Sequence, residues 1–223
     1  MSEGRSRGRR RRLLAVLGTV FALGLALSLG HAGESGKASG RFVREQQRRT
    51  GELRAIALKL RDAILRKDIE ALLRYETRGE QIGKYTYDGY AESKALLTDL
   101  QSWLFCQLFD TQCHLQLLKQ QEGTPGSSPY RISVGEFFQN HPDLKIAIHF
   151  FGAKDPDLGL EGVLDLAQIA YVVPGTSLDR RFPDPLREDF PVEKWGKEYV
   201  DTCLQYTKKG WRYYATIFIC PSD

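Results

Sequence analysis

Cysteine and histidine, four of each, are the residues of this chain with the widest chemical reach, and their spacing excludes most of it. A structural zinc site takes four Cys or His ligands, mostly in close pairs. Cys106 and Cys113 are seven apart, no CxxC occurs, and only Cys113 and His114 adjoin, as neighbours that point apart on a regular element. No metal and no cofactor is expected. The run DPDLG sets Asp155 and Asp157 at alternate positions as a calcium loop does. Gly159, Leu160 and Leu166 then stand where the third ligand, the turn glycine and the closing glutamate belong, so the run reads as a turn. Neither GxSxG nor GxxxxGK[ST] occurs, and no dinucleotide glycine fingerprint follows a strand. Acid–base chemistry remains, because one group with a shifted pKa suffices for it. Its candidates are His149 in KIAIHFFG, Asp165 on the next strand, and Asp201 and Tyr213 on the terminal strands. Each is weighed against the plainer role of a hydrogen-bonded core or rim residue.

An even number of cysteines behind an export leader favours disulfides over reactive thiols. If CLQYTKKGWRYYA is a hairpin turning through Lys208, Lys209 and Gly210, Thr207 faces Trp211 and Cys203 faces Ala215. Continued as strand, that register puts Cys220 about 17 Å from Cys203, beyond disulfide reach. Three arrangements stay open. The preferred one staples the Cys106–Cys113 segment to the terminal hairpin; the others are a local Cys106–Cys113 clasp with Cys203 and Cys220 reduced, permitted if Asp110 and Thr111 end a helix, and four free thiols.

The elements that must position these residues follow a leader. Residues 1–32 carry six arginines against Glu3, a net of +5, while the chain of 223 residues totals +4, so the remainder is near −1. A nucleic-acid footprint on the folded part is therefore unsupported. A cationic start, an apolar stretch from Leu13 to Leu29, and Gly30 and Ala32 as a cleavage site have the order of a secretory signal. The expectation is export, to the periplasm or outside the cell; a retained anchor over residues 13–30 is the alternative, with the domain outside the cytoplasm and the membrane met only there. Residues 33–40 read as a flexible linker, and 41–223 as a single α+β domain.

Within that domain, Leu53, Ile56, Leu60, Ala63 and Ile64 form an amphipathic helical stripe. Asp68 is placed to cap a second short helix. QIGKYTYDGY is a short strand or irregular turn, and AESKALLTDLQSWLFCQLF reads as one helix with Ala95, Leu96, Leu100, Trp103, Leu104 and Leu108 inward. Lys119 to Tyr130 is a loop by composition, and SVGEFFQNHPD is a small helix capped by Ser133 with Glu136 three residues on. The last third turns β-rich, interrupted by the proline-bearing loop 175–191. Helices followed by antiparallel strands predict an α+β fold, with the helices on one face of a curved sheet.

The segment LRDAILRKDIEALLRYE, with the four strands that come later, resembles the opening helix pair and sheet of the SnoaL-like or nuclear transport factor-like superfamily. The resemblance implies a conical sheet enclosing a pocket, used by some members for catalysis and by others for binding. The aromatic residues Tyr199, Tyr206, Trp211, Tyr214 and Phe218 are the expected pocket wall. The functional expectation is an exported envelope domain that binds a small molecule or an envelope protein without chemistry. A pocket enzyme with an acid or base, and an interaction module presenting the 175–191 loop, are the alternatives.

Overall fold

The computed structural model describes residues 41–82, 85–121, 132–151, 164–179, 194–214, 217, 218 and 220. The leader, the linker, the DPDLG turn, most of the 119–130 loop and most of the 175–191 loop lie outside them. The chain divides into two compact units between Arg48 and Arg49. Of the first, residues 41–48 are described; they are helical, with Arg48 bonded to Glu45. Among the described residues no helix is long and apolar enough to cross a membrane.

The second unit opens with α1 (49–66), whose buried stripe is Leu53, Ala57, Leu60, Ala63 and Ile64, with Ile56 partly buried beside it. Its end needs no glycine. Lys67 takes the left-handed conformation (φ 53°), and the last carbonyls are closed by Lys67 N–H to Ile64 O (3.1 Å) and Asp68 N–H to Ala63 O (2.8 Å). Asp68 then caps α2 (Ile69–Leu73) as expected, accepting from the Ala71 N–H at 3.0 Å. At Glu80 and into QIGKYTYDGY, β1 (Glu80–Ile82) pairs antiparallel with β2 (Tyr85–Tyr87).

The helix expected across residues 91–109 is two: α3 (Tyr90–Thr98) and α4 (Trp103–Phe109). Asp99 accepts from the Gln101 N–H (3.0 Å), and the Ser102 hydroxyl accepts from the Phe105 N–H (3.0 Å) while donating to Leu96 O. Side chains that bond nearby backbone in this way compete with a continuing helix. The break resets the helical phase, so Leu100 and Trp103 are 67% and 40% exposed whereas Leu104 and Leu108 are buried; before the break, α3 buries Ser93 and Leu97 and leaves Ala95 exposed. A second break at Asp110 starts α5 (Thr111–Gln121), with Cys113 N–H bonded to Asp110 Oδ1 at 3.0 Å. This break folds the cysteines together: Cys106 and Cys113 form a disulfide with Cα atoms 5.3 Å apart. Ser133 caps α6 (Val134–Asn140) through the Glu136 N–H (3.2 Å).

Strands β3 (Lys145–Phe150), β4 (Leu166–Val172), β5 (Tyr199–Thr207) and β6 (Gly210–Tyr213) form an antiparallel meander in that order. Strand alternation gives the sheet two unlike faces. One carries Ile146, Ile148, Ile169, Tyr171, Val200, Thr202, Leu204, Trp211 and Tyr213. It meets the helices, with Tyr171 O–H donating to Ala57 O at 2.7 Å and its ring 4.8 Å from that of Phe138. The other carries His149, Gln168, Asp201, Cys203 and Gln205, read from the same register. The α+β expectation therefore holds, with the sheet in the C-terminal part.

Two expectations for the terminal hairpin need correction. Thr207 pairs with Gly210, not Trp211, so the turn is the two residues Lys208 and Lys209. The cross-staple is replaced by Cys106–Cys113 and Cys203–Cys220, which leave no described cysteine free. The reason lies in where β6 stops. Tyr214 N–H still reaches Cys203 O (3.0 Å), but the chain then turns through Phe218 (φ 55°), whose N–H bonds to Thr202 Oγ1 at 3.3 Å. Cys220 is thereby returned to β5, Cα 5.1 Å from Cys203. The 17 Å separation presumed a strand that continues; it does not.

Candidate functional site

The helix-facing side of the sheet holds one polar cluster inside an apolar core. Glu76 follows α2, and its carboxyl sits at the start of α3: Ser93 O–H donates to Glu76 Oε1 at 2.6 Å, and Gly89, the residue preceding α3, lies against Oε2. A Cβ on Gly89 would come within 2.8 Å of that oxygen, so a larger residue there would push the Glu76 carboxyl aside. Tyr213 is held beside this carboxyl by its own backbone, N–H to Tyr75 O at 2.8 Å, with the Tyr75 and Tyr213 rings edge to face at 6.2 Å.

Burial pushes the Glu76 carboxyl above its ordinary pKa, against the opposing pull of the Ser93 and Thr77 hydrogen bonds. Burial, then the neighbouring Glu76, pushes the Tyr213 phenol up. Tyr75 and Tyr171 are raised by burial as well. The Tyr213 hydroxyl is fully buried and has no hydrogen-bond partner among the described residues. A neutral phenol beside a carboxyl biased toward protonation can donate to and accept from a small polar guest.

The opposite face holds a second cluster. His149 stands directly across the ladder from Gln168, whose Nε2 donates to Asp201 Oδ2 at 2.5 Å. Asp201 Oδ1 accepts from Trp195 Nε1 at 2.9 Å. Burial raises the Asp201 carboxyl to about 6, with both hydrogen bonds acting the other way, and burial lowers the half-buried His149. Asp165 belongs to neither cluster. It pairs with Arg49 Nη1 at 2.5 Å, and that guanidinium lies 4.2 Å over the Tyr206 ring, while Trp211 Nε1 donates to Glu52 at 3.3 Å. These contacts fasten the start of α1 to the end of the sheet.

Of the acid–base candidates, the fold brings His149 and Asp201 onto one face with Gln168 between them, and sends Tyr213 to the other. The aromatic wall residues are divided too. Tyr199 lies on the Asp201 face; Tyr206 and Trp211 pack edge to face at 5.2 Å on the helix side. Phe218 is in the core against Tyr171 and Phe138, and Tyr214 follows β6. Glu76, Ser93, Gln168 and Trp195 escaped the sequence reading. Gln168 carried a usable signal, as the one polar residue inside LAQIAYVV. Glu76 carried none, because its burial comes from α3 and β6, far along the chain. Comparison with protein-family models, curated proteins and solved structures gives no match to this chain.

Proposed function

We propose that this chain is an exported cell-envelope protein whose α+β domain binds a small hydrogen-bonding molecule at Glu76 and Tyr213 without chemical change. The observation that carries this reading is the orphaned Tyr213 hydroxyl beside a buried carboxyl. An unpartnered buried hydroxyl costs roughly 1–3 kcal/mol, and a guest that accepts a hydrogen bond from it removes that cost. Two disulfides and the cationic, apolar leader support an oxidising, exported setting, with the leader cleaved or kept as an anchor. The reading keeps the likeness of LRDAILRKDIEALLRYE and the late strands to the SnoaL-like or nuclear transport factor-like superfamily as part of the proposal.

The runner-up reading is an enzyme, with Glu76 as acid or base, favoured by its raised pKa next to a phenol. An interaction module presenting the 175–191 loop stays a third reading.

The test is native mass spectrometry of the full chain recovered from the cell envelope. The wild type is expected to carry a small-molecule adduct that leaves on denaturation, and Tyr213→Phe to lack it. Tyr213→Phe should stay as stable as the wild type or gain up to about 1 kcal/mol, because it deletes an unsatisfied group. A wild type without adduct would sink the binding reading, and an adduct whose mass changes with time would favour the enzyme. The intact mass also reports whether residues 1–32 are removed.

A further inference from the structure

Residues 41–48 are helical, and every residue of the stretch except Glu45 is exposed. Arg41, Arg44 and Arg48 recur at spacings of three and four, which puts them on one side of the helix. Together with Glu45, whose carboxylate is bonded to Arg48 at 2.6 Å, they border one open hollow at the surface. At about 100° per residue, Phe42 and Val43 fall on the side away from the arginines. Both are 44% exposed, so an apolar pair stands in the open opposite a cationic row.

Water alone accounts for the arginines and leaves the apolar pair unexplained, whereas an apolar partner accounts for the pair and leaves the guanidiniums unexplained. A bilayer interface takes both, because a helix seated in it meets acyl chains on one side and headgroups around the other. The charge is confined to this end of the chain. Lys37, Arg41, Arg44 and Arg48 against Glu34 and Glu45 give residues 33–48 a net of +2, so the −1 that follows the leader leaves −3 for residues 49–223. An anionic surface therefore attracts this stretch and not the rest. Its place in the sequence agrees: eleven residues separate Arg41 from Leu29, the end of the apolar leader stretch, a reach of about 40 Å at full extension.

We propose that residues 41–48 form an interfacial helix that docks on anionic phospholipid, with Phe42 and Val43 among the upper acyl carbons and Arg41, Arg44 and Arg48 on the headgroup phosphates. A guanidinium meets a phosphate with two parallel N–H donors, and the Arg48–Glu45 pair, lying at the surface, gives way at little cost. Two apolar side chains are too few to hold a helix in the interface by themselves, and each arginine near a charged surface adds about a fivefold gain. Docking thus needs both sides of the helix and selects for charged lipid. It is independent of the Glu76–Tyr213 site, and it keeps the domain at a membrane even after the leader is removed.

The experiment is hydrogen–deuterium exchange of the full, oxidised chain, read by mass spectrometry on peptides spanning 41–48, with vesicles of phosphatidylglycerol, vesicles of phosphatidylcholine, or inorganic phosphate. A local readout is needed because the apolar leader can hold the chain on either vesicle. Exchange is expected to slow roughly tenfold or more on phosphatidylglycerol, and less than about twofold on phosphatidylcholine or with phosphate. Sodium chloride at about 1 M, where the screening length is about 3 Å, should reverse most of the slowing. Arg44→Gln alone should cut it about fivefold. Arg41→Gln with Arg44→Gln and Arg48→Gln should abolish it, as should Phe42→Ala with Val43→Ala. Glutamine and alanine are good helix formers, so a loss reports docking rather than helix melting, and exchange in 49–66 is the control for an intact fold. No slowing on phosphatidylglycerol overturns the proposal, and so does equal slowing on both vesicles, since charge is then not read. Slowing by phosphate alone to the same extent would make the hollow a site for a free anion. Slowing that survives either multiple variant would put the lipid contact elsewhere.

Discussion

Phe218→Ala is expected to lower the unfolding free energy by about 3–5 kcal/mol, read as an earlier denaturant midpoint and a melting temperature lower by roughly 10 °C. The ring is fully buried, stacked 5.9 Å from Tyr171 and edge-on 5.9 Å from Phe138. It thereby joins the tail to β4 and α6. Its backbone adds two more ties, N–H to Thr202 Oγ1 and carbonyl oxygen from Gln107 Nε2, each at 3.3 Å. Truncation leaves those bonds possible and empties the space between two aromatic rings, so the loss is a transfer and cavity term. Phe218→Leu keeps most of the volume and should cost about 1–2 kcal/mol. An alanine variant within about 1 kcal/mol of the wild type would mean that the tail is not part of the core.

Removing the Cys203–Cys220 bond has the next largest expected effect. The pair closes a loop of sequence separation 17, worth about 3 kcal/mol in the chain-entropy model. Cys203→Ala with Cys220→Ala should lose that amount in oxidising buffer. It should also raise the denaturant slope, because the unfolded chain is freed to expand. An unchanged midpoint would show that the tail returns to β5 without covalent help. Both this change and Phe218→Ala act on one short tail, so together they should cost less than their sum. A double-mutant cycle measures that coupling.

Local features were legible because their causes are local. Asp68 and Ser133 cap the helices expected of them, since a side chain that satisfies an N–H three residues on needs nothing from the rest of the chain. The α1 stripe and the four late strands follow from hydrophobic period in the same way. The break at Asp99–Ser102 was legible too, as an Asp and a Ser three apart, but the apolar residues on both sides carried the reading across it. The cysteines show the limit. Pairing by register extrapolates a strand past Tyr213, and what stops that strand is a hydrogen bond to Thr202 and a ring packed on Tyr171, both outside the hairpin's own sequence.

The candidate sites divide on the same line. Sequence by itself determined that the chain pairs helices with a late antiparallel sheet, and that Asp201, His149 and Tyr213 sit on strands. Only the tertiary structure decided that Tyr213 and Asp201 lie on opposite faces, that Glu76 and Ser93 join the first, and that Gln168 and Trp195 close over the second. The reason is that burial and hydrogen-bond supply are set by elements as much as 137 residues apart, Glu76 against Tyr213 among them, and the pKa of a carboxyl depends on that supply.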